Sequence, residues 1–498
     1  PAGWNLVRIR CLGPNTQRNP AIPCARKFVI HQNKVPSDIA ATLPIGDGSG
    51  KSFARYKSWA TTAEFNYKLD DITITSVSNY NWNRNIFLLD GDSNSQSTGN
   101  IYSAERTTYH AFSSELRAVT SFDEPINVMT GAYYQKTKRQ YNISTLNAGS
   151  ENSAAAPELR YVGITKDSQT NGETIALFGQ AIWKIVPQVE LAAGVRYTHE
   201  TKDSYFLQPY VSQARSGGSV AGVTFTGDQT FNNWSPEITL SYKPTSHITA
   251  YVGYKTGYKS GGFSNSGGIA PTSVPDDLTF DPETVSGFEG GIKTTLLDSQ
   301  LRLNVGLYSY KFKDLQVDFL DATRLKFVTY NAGTAKTRGV EADFQFAPRS
   351  LPGFELHGTV AYNKANYANF AGAPCYAGQT PALGCTIVAG SAQQDLSGVE
   401  TAVAPKWVGS LGMSYETDIT DALVLGLSVD GRYSGRYLAS PFGNPIDSQN
   451  SYAVLDASAS ITTSDKRWSL ALIGKNLTNK FYITGAQDAP TTGGGTGT

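Results

Sequence analysis

The chain has no long hydrophobic run. Over 498 residues, no stretch approaches the roughly 18 consecutive apolar residues that a membrane-crossing helix needs. The mean hydropathy is -0.29, which excludes a bundle of helices in lipid. Cys (4) and Met (2) are scarce, so neither a thiol-rich redox site nor a clustered zinc site is written into the chain. Charge of one sign is lacking too: 42 Lys plus Arg balance 42 Asp plus Glu. That balance leaves no electrostatic footprint for nucleic acid. Pro1 opens the sequence without Met or a basic-then-apolar leader, as expected of a mature exported protein or of a fragment. What is plentiful is Gly (48) and Tyr (27), set among alternating polar and apolar positions.

Alternation organises the whole chain. Strand-like segments run over 57–69, 71–88, 105–121, 126–142, 171–186, 188–204, 229–243 and 247–262. They continue over 283–297, 300–320, 326–347, 354–370, 404–417, 422–438, 451–463 and 467–484. Within a pair the link is tiny, as at Leu69-Asp70-Asp71, Pro187-Gln188, Leu297-Asp298-Ser299 and Ser464-Asp465-Lys466. Asp, Ser and Pro there supply local hydrogen bonds or a preset φ. Between pairs the links are mostly long and rich in Gly, Ser and Asn, as in 89–104, 143–170, 205–228, 263–282 and 371–403. Outer-membrane barrels have this one-sided asymmetry, and soluble β-sandwiches do not. In 422–433, Leu423, Leu425, Leu427 and Val429 alternate with Gly426, Ser428, Asp430 and Arg432. One face suits lipid and the other a wet lumen.

A soluble sheet with one face on a core has the same period of two, and the aromatics separate the readings. Counting up from the short turns, the apolar face reaches Tyr80, Tyr134, Tyr197, Tyr254, Tyr258 and Tyr433 at similar heights. A soluble core has no reason to do this, whereas a barrel places an aromatic girdle at each edge of an apolar band about 25 Å tall. The fold expected is therefore all-β: an antiparallel transmembrane β-barrel in the outer membrane of a Gram-negative bacterium, in contact with outer-membrane lipid. Residues 1–56 are expected to be an extracellular loop region, 57–484 the barrel strands, and 485–498 part of a further extracellular loop.

Five stretches resemble the β-barrel of TonB-dependent receptors. They are Ser235-Pro236-Glu237 with Leu240-Ser241-Tyr242-Lys243-Pro244; Tyr254-Lys255-Thr256-Gly257-Tyr258-Lys259-Ser260-Gly261-Gly262-Phe263; and Asp281-Pro282-Glu283 running into Phe288-Glu289-Gly290-Gly291-Ile292-Lys293. The others are Asn331-Ala332-Gly333 with Thr337-Arg338-Gly339-Val340-Glu341, and Gly474-Lys475-Asn476-Leu477-Thr478-Asn479-Lys480-Phe481-Tyr482. The resemblance implies a 22-stranded barrel, about 16 strands of which lie in this chain, with a plug and a TonB-contacting segment outside it. It implies energised uptake of a scarce nutrient, most often an iron–siderophore complex, driven by the TonB–ExbB–ExbD complex. A passive porin-like channel and a non-transporting surface protein are the rival readings. The resemblance implies neither an enzyme nor a cofactor.

Lumen-face cations near the outer mouth are the ligand-binding candidates: Lys255, Lys259, Arg432 and Arg436. The alternative is that they solvate the lumen or hydrogen-bond a plug. Cys11 with Cys24, and Cys375 with Cys385, fall in two loops and are expected to form short-range disulfides. Gly46-Asp47-Gly48-Ser49-Gly50-Lys51-Ser52 looks like a phosphate-binding loop with spacing one residue short. Asp90-Gly91-Asp92-Ser93-Asn94 begins like a calcium loop, but Ser95 replaces the needed Gly and Ile101 the bidentate Glu. The five histidines, His31, His110, His199, His247 and His357, show no ligand spacing.

Overall fold

The computed structural model describes residues 33–43, 45, 48–91, 101–321, 326–376, 378–388 and 391–486. Sixteen strands form one sheet in chain order, each antiparallel to the next. They are β1 (Phe53–Leu69), β2 (Ile72–Asp90), β3 (Ile101–Thr120), β4 (Ile126–Asn147), β5 (Val162–Val186), β6 (Val189–Leu207), β7 (Thr224–Thr245) and β8 (Ile248–Lys259). Then follow β9 (Glu283–Leu296), β10 (Leu301–Asp321), β11 (Lys326–Phe346), β12 (Phe354–Asn369), β13 (Trp407–Thr420), β14 (Leu423–Ser434), β15 (Tyr452–Thr463) and β16 (Ser469–Gly474). Every segment read as a strand is one, but its ends differ. β1 to β7 climb further toward the long loops, because polar residues there still pair edge to edge, whereas β8, β13 and β14 stop three or four residues short of their expected upper ends. Residues 467–484 were expected to be one strand and form only the six residues of β16. Asn476 (φ 51°) and Asn479 (φ 47°) turn the backbone left-handed there, a conformation Asn tolerates better than most residues.

The short links behave as their composition requires. Asp70 (φ 43°), Asp298 (φ 50°), Ser299 (φ 71°) and Lys466 (φ 57°) reverse the chain within two or three residues. Three other short hairpins carry a register shift beside the turn, at Lys184/Val186, Tyr242/Thr245 and Asp418/Thr420. Such bulges sharpen the local twist.

The register sorts side chains into two faces. On one, Leu177 (60% exposed), Val252 (54%), Leu307 (55%), Leu411 (57%) and Leu472 (79%) point into open space on successive parts of the sheet. No soluble protein leaves an apolar surface of that extent uncovered, so this is the lipid face. Its edge toward the long loops is lined by cross-strand aromatic pairs: Trp59–Tyr80, Phe112–Tyr134, Tyr197–Trp234, Tyr254–Phe288 and Tyr362–Trp407, with ring centroids 4.8 to 6.4 Å apart. A second row near the short turns contains Tyr67, Trp183, Tyr242 and Trp468, all exposed. An apolar band about 25 Å tall needs only about ten tilted residues. The 25 residues of β5 therefore rise well above it.

Among the described residues the hydrophobic clusters lie at the long-loop end. Val35, Ile39 and Ala40, from the segment before β1, are buried against Leu88, Tyr102, Leu146 and Val162 at the tops of β2–β5. Tyr367, Phe370, Leu396 and Phe442 form another cluster above β11 and β12. The residues after Gly46-Asp47 continue from Ser52 straight into β1, so no helix follows the phosphate-loop lookalike.

Candidate functional site

The face opposite the lipid is a wall of paired polar groups. On β8, Lys255 lies opposite Glu237 of β7 and Gly287 of β9. Its Nζ reaches diagonally to Glu289 Oε1 at 3.1 Å. Tyr310 on β10 donates its hydroxyl to the other oxygen, Oε2, at 2.7 Å. The ring of Tyr310 crosses Gly287, where a Cβ would collide with it, and the ring of Tyr308 crosses Gly339 in the same way. Glycine on one strand thus makes room for an aromatic on the next. The Tyr308 hydroxyl donates to Asn363 Oδ1 at 3.2 Å, which also accepts from Thr337 at 2.8 Å. Further round, the Arg196 guanidinium lies over the rings of Tyr133 (5.3 Å) and Phe178 (5.5 Å), and Gln180 donates to Glu237 at 3.1 Å.

The mouth over β12–β15 is built on the same plan. Arg432 of β14 donates to Asp456 Oδ2 at 2.8 Å, while Asp456 Oδ1 accepts the backbone N–H of Asn476 at 2.7 Å. Lower on the wall, toward the short turns, His357 faces Asp430 at 3.2 Å. Beyond the strand ends Glu400 holds Lys406 at 2.7 Å and Arg436 at 3.7 Å. The hydrogen bond that Lys406 donates to Glu400 holds its ammonium above its ordinary pKa.

Of the four cations singled out in the sequence, three are therefore held by a carboxylate. Lys259, across from Glu283 in the register, is exposed and makes no ion pair among the described residues. The two pairs of candidates are not one site, since β8 and β14 stand six strands apart in the order. Glu289, Tyr310, Asp456 and Glu400 were not picked out from the sequence. Their signal is the register: each sits on a neighbouring segment, and only the strand offsets show which carboxylate meets which cation.

Above the wall, Cys375 and Cys385 are joined by a disulfide with Cα atoms 5.8 Å apart. It clasps a three-stranded sheet of Ala371–Pro374, Thr386–Val388 and Ser391–Asp395. Cys11 and Cys24 lie outside the described residues, as do Asp92, Ser93 and Asn94. Asp90 Oδ2 accepts the backbone N–H of Asn33 at 3.1 Å. The loop 263–282, rich in Gly and Ser, is clamped onto its neighbours. Gln208 is buried and exchanges hydrogen bonds with the backbone of Ile269, giving one at 2.9 Å and accepting one at 3.0 Å. Lys202 donates to Ser260 and Gly261, both at 2.6 Å.

An antiparallel wall with an apolar outer face, aromatic edges, a polar inner face and ordered loops on one side defines an outer-membrane β-barrel of the transport-receptor class. The family model described as "TonB dependent receptor-like, beta-barrel" matches residues 25–477, and the chain belongs to that family. Among solved structures, the ferric yersiniabactin uptake receptor FyuA from Yersinia pestis is similar with a TM-score of 0.68 at 17% identity, covering 90% of this chain and 60% of that one. The siderophore receptor PiuA from Acinetobacter baumannii gives 0.65 at 18% identity, covering 89% and 63%. The copper transporter OprC gives 0.63 at 12% identity, covering 87% and 62%. At such identities the likeness is one of fold, and the chain spans under two thirds of the length of each.

Proposed function

We propose that this chain is the wall of a receptor for energised uptake of a scarce, bulky nutrient across the outer membrane, with a ferric siderophore complex as its cargo. The observation that carries the reading is the family match over 25–477. By their descriptions, one of the similar structures is a ferric yersiniabactin uptake receptor and another a siderophore receptor. The mouth adds chemical support. Lys259, which makes no ion pair among the described residues, stands at the outer end of a lumen face carrying Tyr251, Tyr308 and Tyr310, a surface suited to a bulky anionic chelate with aromatic parts. In this reading the TonB–ExbB–ExbD complex supplies energy through parts of the receptor beyond this chain, residues 1–56 belong to the extracellular side, and no covalent chemistry is assigned.

Growth of a receptor-deleted strain on single ferric chelates as the iron source tests it. Loss of growth on one chelate, restored by the wild-type gene but not in a strain lacking TonB, is expected. Growth independent of TonB would make the protein a passive pore, and unchanged growth on every iron source would remove iron as the cargo.

A further inference from the structure

Outside the lumen, one cluster of charge is not used by the transport reading. On the lipid side of β10, the apolar run Leu303, Val305 and Leu307 gives way to Ser309, Lys311 and Lys313. On β11, Phe344, Ala342 and Val340 give way to Arg338 and Lys336. On β12, Val360 and Tyr362 give way to Lys364. The register brings these cations together: Lys311 lies directly opposite Lys336, and Arg338 directly opposite Lys364. All five are exposed, and none makes an ion pair among the described residues. Same-face neighbours lie about 7 Å apart along a strand and about 5 Å across strands, so the patch is roughly 10–15 Å wide.

Like charges placed directly opposite each other destabilise a sheet, and no ion pair among the described residues offsets that cost. Two carboxylates at the tops of the neighbouring strands are engaged elsewhere. Glu283 accepts the backbone N–H of Gln316 at 2.9 Å, and Glu400, opposite Asn366, holds Lys406. The first cation lies two residues beyond the last apolar side chain on β11 and β12 and four beyond it on β10, and the patch is flanked by the girdle pairs Tyr254–Phe288 and Tyr362–Trp407. That is headgroup height, on the side of the long loops, which in this family of outer-membrane barrels faces outward. The arrangement recurs on β1–β2, where Lys57 lies opposite Arg84 one step beyond the Trp59–Trp82 pair.

We infer that the outer faces of β10, β11 and β12 bind the phosphorylated headgroup of an outer-leaflet lipid. Its acyl chains lie along Leu307, Val340 and Val360, and its phosphates bridge Lys311, Lys336, Arg338 and Lys364. Phosphate oxygens accept several charge-assisted hydrogen bonds at once, so one bisphosphorylated headgroup turns the mutual repulsion of the cations into attraction. A second copy of the chain does not fit, because a two-fold contact would press the patch against itself.

The test uses receptor purified from outer membranes in mild detergent, with bound lipid counted by native mass spectrometry. It is then titrated with lipid A, with lipid A stripped of its phosphates, and with inorganic phosphate. The wild type should retain phosphorylated lipid and rebind lipid A at least tenfold more tightly than the dephosphorylated form. The variant Lys311→Gln/Lys336→Gln/Arg338→Gln/Lys364→Gln should lose at least tenfold in affinity. A control with Lys184→Gln/Lys243→Gln, at the short-turn end, should not. Heat-modifiable migration on gels checks folding. If the fourfold variant fails that check, Lys336→Gln/Lys364→Gln alone should still weaken binding several-fold. Equal binding by variant and wild type, equal binding of the dephosphorylated lipid, or displacement of lipid A by millimolar inorganic phosphate would each overturn the inference.

Discussion

Single residues in this wall matter through their neighbours on the next strand. Glu289 reads in the sequence as one acid in a glycine-rich segment. In the sheet it accepts from both Lys255 and Tyr310, and Tyr310 occupies the space that Gly287 leaves. The pair is partly exposed to the lumen, so its contribution to stability is small; Glu289→Ala should cost about 1 kcal/mol or less, measured by urea unfolding of the liposome-folded receptor. Asp465, in the last short turn, tests a different balance. Its carboxyl accepts from Thr463 Oγ1 at 2.6 Å and from the Arg467 N–H at 3.1 Å, and these bonds, led by that from Thr463, hold its pKa below the usual carboxylate value. A carboxylate with a depressed folded pKa stabilises above its unfolded value, about 3.9, and loses that contribution as pH falls through the folded value. The wild type should therefore be more stable than Asp465→Ala at pH 7, with the gap narrowing steadily below about pH 4. A gap unchanged at low pH would show that the turn does not depend on this carboxylate.

At the scale of elements, the strands were legible because a period of two persists through each, and the short turns mark where it restarts. The ends were less legible. Polar runs such as Lys166–Gln169 show no apolar alternation in the sequence, yet they extend β5 upward by pairing with β4 and β6. Conversely, Leu477 and Phe481 look like strand residues, but the left-handed Asn476 and Asn479 lift them out of the ladder. The candidate cations were legible as lumen residues; their partner carboxylates were not, because a one-residue error in register moves every contact to the other face. The face assignment itself has a direct consequence on β14. Leu427 is exposed on the lipid face, and the adjacent Ser428 shares a hydrogen bond with Ser458 on the lumen side at 2.8 Å. Leu427→Arg should cost about 2–4 kcal/mol, whereas Ser428→Arg should be nearly neutral, both read as folded fraction in liposomes. The loop sheet should respond separately from the wall. Cys375→Ser/Cys385→Ser should speed protease cleavage within 371–395 several-fold, since a closed ring limits the open states of its loop, with heat-modifiable migration unchanged. A variant that loses that migration would place the clasp in barrel assembly.

The molecule as a whole is a sheet whose two faces solve opposite solvation problems. In lipid every backbone N–H and C=O must be paired within the protein, which only helices and laterally paired strands achieve. The order from β1 to β16 does this for all its inner strands. On the lumen face Lys255 meets Glu289 and Arg432 meets Asp456, so the charges described there are largely paired within the wall.

The two-faced wall is tested most directly by a cysteine scan of β14, in a background with the native cysteines replaced and the protein in liposomes. Each position from Leu423 to Ser434 is labelled in turn with a membrane-impermeant thiol reagent and, separately, with a fluorophore quenched by a lipid-borne quencher. The expected result is strict alternation, with Leu423, Leu425, Leu427 and Val429 quenched from the lipid and poorly labelled from water. Val424, Gly426, Ser428, Asp430 and Arg432 should show the reverse. Uniform labelling from water, or a period near 3.6, would contradict the membrane-spanning barrel.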